Sequence, residues 1–311
     1  MTRPPLLAIV GPTATGKTAL AVRLAACLPI EAINADSRQV YRGMDVGTGK
    51  PTAAEQAALR HHLIDIVDPD GTFNVARLRA EALAVIADIH ARGRLPVLVG
   101  GTGLYVRALL KGLQPAPPAD RALRAELEAL ARERGAAALH ARLAGVAPAA
   151  AARLHPNDRV RLIRAIEVAG ADAGEPAPSW ADATPPFRSL VVGLTLPRPL
   201  LARRIADRVR AMVAGGMMEE VQRLRAAGHQ PSLPAMSGIG YRQFSSVLDG
   251  TMTEAEAVRQ MIRDTTRYAR RQMTWFARDP EIRWIDVEAA GGIEGAAQQV
   301  LEMVTKEGLT Q

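Results

Sequence analysis

Leu6-Leu7-Ala8-Ile9-Val10-Gly11-Pro12-Thr13-Ala14-Thr15-Gly16-Lys17-Thr18 lies near the start of the chain, and an apolar-periodic stretch follows over 19–28. The five apolar residues read as a buried strand, the glycine-bounded segment as a loop and the periodic stretch as a helix. Gly11-x4-Gly16-Lys17-Thr18 matches the P-loop pattern and sits where that pattern must, between strand and helix. Its glycines let backbone N–H groups turn inward on phosphate oxygens. Lys17 reaches the terminal phosphates, and Thr18 offers a hydroxyl to Mg²⁺. An ordinary glycine turn lacks this agreement of pattern and context. Gly11, Pro12, Thr13, Ala14, Thr15, Gly16, Lys17 and Thr18 are therefore the expected polyphosphate site, with Mg²⁺ on Thr18.

Outward from this loop, short strands are expected over 31–35 and 63–67, a helix over 75–92 closed by Gly93, and a strand over 95–99. The last runs into Gly100-Gly101-Thr102-Gly103. Strands alternating with helices at this spacing indicate an α/β, P-loop NTPase-like, doubly wound parallel sheet. The pattern changes at the breaker segment Gln114-Pro115-Ala116-Pro117-Pro118. Ala- and Arg-rich helical sequence follows to about residue 174, then a second, proline-rich breaker over 175–186 leads into a strand over 190–196. The expectation is a helical insertion domain, 114–187, in a core domain made of 1–113 and 188–311. Beyond it the pattern suggests a helix over 200–227, a loop to Gly240, helices to Ala277, a strand over 284–287 and a helix over 293–305.

Of 311 residues, 48% are apolar and 23% charged, which excludes disordered, collagen-like and coiled-coil classes. No early apolar run is long enough for a membrane span or a signal-peptide core, so a cytoplasmic monomer without membrane contact is expected. The single cysteine, Cys27, excludes a disulfide framework and a cysteine-rich zinc module. Net charge is +7, carried almost wholly by arginine, whose planar fork suits phosphate and nucleic acid. A GC-rich genome also raises arginine and alanine, so the distribution of charge must decide.

The strand over 95–99 ends in glycine and threonine where a Walker-B acid would be expected. Asp36, at the carboxyl end of the second strand, is the nearest acid for proton abstraction or metal work. An Asx turn capping the next segment is the competing use of that carboxylate. A small-molecule kinase stays open on these residues alone.

Further strings narrow the choice. Asp36-Ser37-Arg38-Gln39-Val40-Tyr41, Met44-Asp45-Val46-Gly47-Thr48-Gly49-Lys50-Pro51, His62-Leu63-Ile64-Asp65 and Val99-Gly100-Gly101-Thr102-Gly103-Leu104-Tyr105 occur in order. They are followed by His155-Pro156-Asn157-Asp158, Arg161-Leu162-Ile163-Arg164-Ala165-Ile166-Glu167, Gly238-Ile239-Gly240-Tyr241-Arg242-Gln243 and Arg270-Arg271-Gln272-Met273-Thr274-Trp275-Phe276. The set resembles the tRNA dimethylallyltransferases (tRNA isopentenyltransferases) over about residues 6–286. With one cysteine there is no counterpart of the zinc finger that eukaryotic relatives often carry, and the chain resembles the compact bacterial type. The resemblance implies a P-loop that does not hydrolyse ATP but holds the diphosphate of dimethylallyl diphosphate. It implies transfer of the five-carbon group to N6 of the adenosine 3′ of the anticodon in tRNA, with Arg208 resembling the family's diphosphate arginine.

The chemistry suits the residues. An exocyclic adenine amine is a poor nucleophile, and Asp36 can accept its proton as the new bond forms. The amides of residues 13–18, Lys17 and Mg²⁺ on Thr18 stabilise the departing diphosphate. Thr102, on a glycine-rich turn that allows close approach, could hydrogen-bond the flipped base or its phosphate. The expected catalytic set is Asp36, Thr102, Lys17 and Arg208. Arg204 and Arg208 lie four apart on one helix face.

For RNA, Arg259, Arg263, Arg267, Arg270 and Arg271 fall on one helical stripe roughly 120° wide. Trp275 and Phe276 follow as stacking surfaces. Arg159, Arg161 and Arg164 form a second cluster, entering a helix capped by Asn157 or Asp158. The expected tRNA-binding residues are Asp36, Ser37, Arg38, Gln39, Thr102, Arg124, Val160, Arg161, Leu162, Ile163, Arg164, Tyr241, Arg242, Gln243, Arg263, Arg267, Arg270 and Trp275. A low aromatic content, 4%, favours phosphate contacts and one extruded adenine over many stacked bases. Rivals are a P-loop kinase, an isopentenyltransferase for free adenine nucleotides, and a nucleotide-switched RNA-binding protein.

Overall fold

The computed structural model describes residues 3–113, 117, 120–170 and 186–309. The chain divides into two compact units, Met1–Lys111 with Pro185–Gln311, and Gly112–Thr184.

In the first unit the strand β1, Pro5–Val10, is apolar on both faces, and such a strand belongs inside a parallel sheet covered by helices. It is joined by β2 (Ile30–Asn34), β3 (His61–His62), β4 (Leu95–Val99), β5 (Arg188–Thr195) and β6 (Arg283–Asp286). All neighbours are parallel, in the order β3-β2-β4-β1-β5-β6. Alternate side chains of β1 go to opposite faces. Leu7 and Ile9 pack with Leu20 and Leu24 of α1 (Lys17–Ala25) and Val300 and Val304 of α13 (Ile293–Lys306). Leu6, Ala8 and Val10 pack with Ile86 of α3 (Val75–Ala91), Leu109 of α4 (Gly103–Lys111) and Phe276 of α12 (Glu254–Phe276). Burying each such Leu or Ile contributes about 1.5–3 kcal/mol, which is what fixes the strand register.

A third cluster joins α9 (Arg198–Ala214), α10 (Met217–Ala226), α11 (Tyr241–Leu248) and α12 to the segment after β2, through Val40, Met44, Val209, Met217, Phe244 and Met261. A short helix α2, Ala53–Ala58, held by a capping box of Thr52 and Glu55, had no counterpart in the sequence reading. No helix among the described residues is long and apolar enough to cross a membrane.

Two expectations are corrected. Residues 63–67 do not form a strand: Leu63 and Asp65 take left-handed φ values of 62° and 55°, and the sheet edge is His61–His62. The single helix over 200–227 is broken at Gly215-Gly216, where Gly216 has φ 97°.

The second unit packs α5 (Arg121–Arg134), α6 (Ala136–Val146), α7 (Pro148–Arg153) and α8 (Arg159–Gly170) around Leu127, Leu139, Leu143 and Leu162. The breaker over 175–186 lies outside the described residues except for Pro186, as does the one over 114–118 except for Pro117.

Candidate active site

The carboxyl ends of β1, β2 and β4 converge, and beyond them lies a cavity of about 500 Å³. Ligands of parallel sheets bind at this edge. The segment after β1 is the P-loop. Ala14 holds a left-handed φ of 65°, and the Thr15 hydroxyl donates to the Pro12 carbonyl at 2.9 Å. Helix α1 starts at Lys17 with no side-chain cap among the described residues, so its first amides are available to an anion. The Lys17 ammonium donates to the carbonyls of Gly11 (3.1 Å) and Pro12 (2.6 Å). Burial pushes its pKa down to about 8, with Asp36 opposing and Arg208 reinforcing that shift. The expected cradle of amides 13–18 is reduced by one, because the Thr13 N–H donates to Gln272 Oε1 at 2.9 Å.

Arg208, on α9, reaches the same cavity and donates to the Gly49 carbonyl at 3.4 Å. Burial lowers its pKa, with Asp36 and Glu55 opposing. Arg204, one turn earlier, is not among the residues that line the cavity. Two half-buried cations beside a helix N-terminus form a site for a polyanion.

The segment carrying Gly47 to Lys50 is tied down from beneath. The buried Glu220 carboxylate accepts the N–H groups of Asp45 (2.8 Å), Val46 (2.8 Å) and Gly47 (3.0 Å) and the Tyr241 hydroxyl (2.6 Å). Lys50 donates to the Tyr41 carbonyl (2.5 Å) and pairs with Asp45 (2.6 Å) and Asp65. Gln39 donates to the Gly49 carbonyl at 3.0 Å. These motif residues are structural supports of the wall.

Asp36 is held by its neighbours. Its N–H donates to Asn34 Oδ1 (2.9 Å), and its carbonyl accepts from Asn34 Nδ2 (3.1 Å). Its Oδ1 accepts the Arg38 N–H at 2.8 Å. The Asx turn and the cavity-facing acid are thus one arrangement: the turn aims the carboxylate, and Oδ2 has no hydrogen-bond partner among the described residues.

Thr102 stands behind this wall, not in it. Its N–H donates to the Ala35 carbonyl (3.1 Å), and its hydroxyl accepts the Ser37 N–H (3.1 Å). Its hydroxyl also acts on the phenol of Tyr268, which lines the cavity. Burial, with Asp36 adding and the Thr102 bond opposing, pushes the Tyr268 phenol up to about 12, so it stays protonated. The Arg271 guanidinium lies 5.7 Å from the centroid of the Tyr268 ring.

Helix α12 therefore has two working faces. Met261, Thr265, Tyr268 and Gln272 line the cavity, while Arg259, Arg263, Arg267 and Arg270 are exposed. Among the described residues Arg259, Arg263 and Arg270 have no ion pair, and Arg267 lies 3.6 Å from Asp264. Asp264 also pairs with Arg242 and accepts from Gln243 at 2.9 Å. Phe276 is not a stacking surface, and Trp275 is partly buried. Phe276 is buried, and the Trp275 indole lies so close over Gly103 that a Cβ there would be 2.1 Å from the ring. Tyr241 and Gln243 are buried as well, Tyr241 at the edge of the cavity and bonded to Glu220, Gln243 bonded to the Gly240 N–H and Asp264.

Within the second unit, Leu162 and Ile163 are core residues, which removes their side chains from the expected contact set. Arg124 makes a bidentate pair with the buried Glu167 (2.9 and 2.8 Å), and Arg164 joins it at 3.3 Å. Arg161 lies 3.5 Å from Asp158, whose Oδ1 accepts the Arg161 N–H at the start of α8. Val160 is 78% exposed.

Sequence reading missed Asn34, Glu220, Tyr268 and Gln272. The last two had a signal: they lie four apart on the helix face opposite the arginines, where polar side chains need a reason to point inward. Nothing in its local sequence marks Glu220.

The family model described as IPP transferase matches residues 39–279. A tRNA dimethylallyltransferase from Geobacter sulfurreducens is 52% identical over 91% of this chain and 92% of that one. The crystal structure of a full-length tRNA isopentenylpyrophosphate transferase from Bacillus halodurans is similar with a TM-score of 0.72, at 40% identity, covering 98% of both chains. A eukaryotic dimethylallyltransferase acting on tRNA gives a TM-score of 0.73 at 25% identity, over 91% of this chain and 74% of that one.

Proposed function

We propose the following reaction for this chain, which belongs to the IPP transferase family of tRNA dimethylallyltransferases. The donor is dimethylallyl diphosphate, and the acceptor is N6 of the adenosine next to the anticodon on its 3′ side. The observation that carries this reading is the facing of one anchored carboxylate, Asp36, by two desolvated cations, Lys17 and Arg208, around a single cavity.

The adenine leaves its stack and enters the cavity, as any base modified at a Watson–Crick-edge atom must. The N6 lone pair forms a bond to C1 of the dimethylallyl group as the bond from C1 to the diphosphate oxygen breaks. The N6 proton passes to Asp36, and the electron pair of the broken bond leaves with diphosphate. Lys17, Arg208 and the amides of residues 14–18 receive that charge in a site of low dielectric, where fixed dipoles act most strongly. Tyr268, kept protonated, and Ser37 border the base side.

A divalent metal fits these residues. Thr18 lines the cavity and its hydroxyl has no hydrogen-bond partner among the described residues. Mg²⁺ characteristically takes one or two protein oxygens, with phosphate and water completing its shell. Thr18 would hold it, and it would supply charge neutralisation of the diphosphate leaving group.

The test is to incubate the protein with tRNA and either radiolabelled dimethylallyl diphosphate or γ-labelled ATP. Label from the prenyl donor is expected in tRNA, and label from ATP is expected to stay in ATP. Phosphate transfer or brisk Mg²⁺-dependent ATP hydrolysis would return a kinase or a nucleotide switch to first place.

A further inference from the structure

Gln272 belongs to the inner face of α12 and is buried, with 5% of its surface exposed. Its Oε1 accepts the Thr13 N–H at 2.9 Å, and its Nε2 donates to the Gly101 carbonyl at 2.8 Å. The amide orientation follows from chemistry, because a peptide N–H can only donate and a peptide carbonyl can only accept. Gly101 leaves room for this contact: a Cβ there would sit 2.1 Å from Nε2. Gly101 is followed by Thr102, which grips both neighbours of the acid, through the Ala35 carbonyl and the Ser37 N–H. One side chain thus ties the loop that takes the leaving group to the frame that holds Asp36.

We infer that Gln272 is a positioning residue, setting the distance between the diphosphate loop and the Asp36 frame so that N6, C1 and the leaving oxygen come into line. The inference rests on the proposed transferase reaction. In-line displacement is sensitive to small displacements of its two ends, and about 1 Å of misplacement can cost on the order of 10²-fold in rate. Glutamine is the residue that the place requires. Methionine keeps the volume and loses both bonds. Ionised glutamate keeps the acceptor and loses the donor, leaving its charge against a carbonyl oxygen. Neutral glutamic acid restores both bonds.

The experiment measures kcat and both KM values for wild type, Gln272→Met and Gln272→Glu, with radiolabelled dimethylallyl diphosphate and tRNA, across about pH 8 to about pH 5.5. Wild-type transfer tests the underlying reaction separately, so failure there is distinguishable from failure of this inference. Gln272→Met is expected to lower kcat by ~10–100-fold with KM for tRNA within about threefold of wild type, the signature of a contact that matters in the transition state. The ratio of Gln272→Glu to wild-type kcat is expected to rise as pH falls, because protonating the introduced carboxyl recreates the donor. Should Gln272→Met not fold, this pH-dependent ratio still decides. A Gln272→Met kcat within about threefold of wild type, or a ratio for Gln272→Glu flat across the pH range, overturns the positioning role.

Discussion

Lys17 and Arg263 are both cations proposed to meet phosphate, and the molecule treats them in opposite ways. Lys17 is half-buried at the cavity, and burial disfavours its charge until an anion arrives. Arg263 lies on the exposed face of α12, with no carboxylate to satisfy it among the described residues. A buried cation acts strongly on charge that develops within a few ångströms and is little affected by salt. An exposed one attracts a polyanion at long range and is screened. The first arrangement suits chemistry on a leaving group, and the second suits holding a large RNA without distinguishing its ground and transition states. The arginines of the second unit fall between them: Arg124 and Arg164 are exposed in part but committed to Glu167.

The sharpest break of this comparison is at the acid on the chemical side. Asp36→Ala should lower kcat by ~10²–10⁴, the usual range for a general base, while tRNA affinity changes far less. Single-turnover rates with saturating tRNA measure the first, and filter binding the second. Near wild-type turnover would remove Asp36 from proton transfer.

The next effect belongs to Lys17. Its pKa in the free protein is about 8, and a bound diphosphate, by supplying a counter-charge, holds the proton on. Affinity for inorganic diphosphate is therefore full below about pH 8 and should fall by up to about tenfold per pH unit above it, with proton uptake on binding. Calorimetry in buffers of different ionisation enthalpy reads that uptake. Lys17→Met should bind more weakly and lose the dependence. A wild-type affinity flat through about pH 9 would mean that the lysine stays charged without its ligand.

Much of the chemical half was legible in the sequence because its constraints are local. A strand, a glycine-bounded loop and a helix lie within residues 5–25, so pattern and context could be compared directly. The supports were not legible, because their partners are remote: Glu220 is more than 170 residues from the amides it accepts, and Gln272 is 259 from Thr13. The expected strand over 63–67 failed for a related reason. Leu63 and Val67 are buried, but in the second and third apolar clusters and not in a ladder of the sheet. The packing of Trp275 on Gly103 is not legible either, because aromatic type says nothing of which face of α12 it occupies.

Glu220 allows those remote supports to be tested with a smaller effect. Replacing its carboxylate by an amide, Glu220→Gln, turns a donor toward peptide N–H groups, at about 1–3 kcal/mol for each donor left unmatched. The variant should therefore have a lower unfolding midpoint and a looser wall around Gly49, raising KM for the prenyl donor more than KM for tRNA. Equal shifts in both would mean that the wall serves the two substrates alike.

The smallest expected effect per residue lies on the exposed side. If Arg263, Arg267 and Arg270 face tRNA phosphates, each neutralises a phosphate and releases a condensed counterion. Removing one contact should then flatten the plot of log affinity against log salt by on the order of 0.7–0.9. Arg263→Ala and Arg270→Ala should show this in full, whereas Arg267→Ala should show less, because its charge is already shared with Asp264 at 3.6 Å. Turnover at saturating tRNA should hardly move, since binding common to ground and transition states cancels from kcat. The same measurement on Arg124→Ala should leave the salt slope intact and lower stability, because truncation removes the bidentate partner of the buried Glu167 carboxylate and leaves it Arg164 alone. If the α12 variants instead keep the wild-type slope while Arg124→Ala lowers it, the assignments are reversed, and ion pairing to a neighbour does not distinguish structural arginines from RNA-binding ones in this fold.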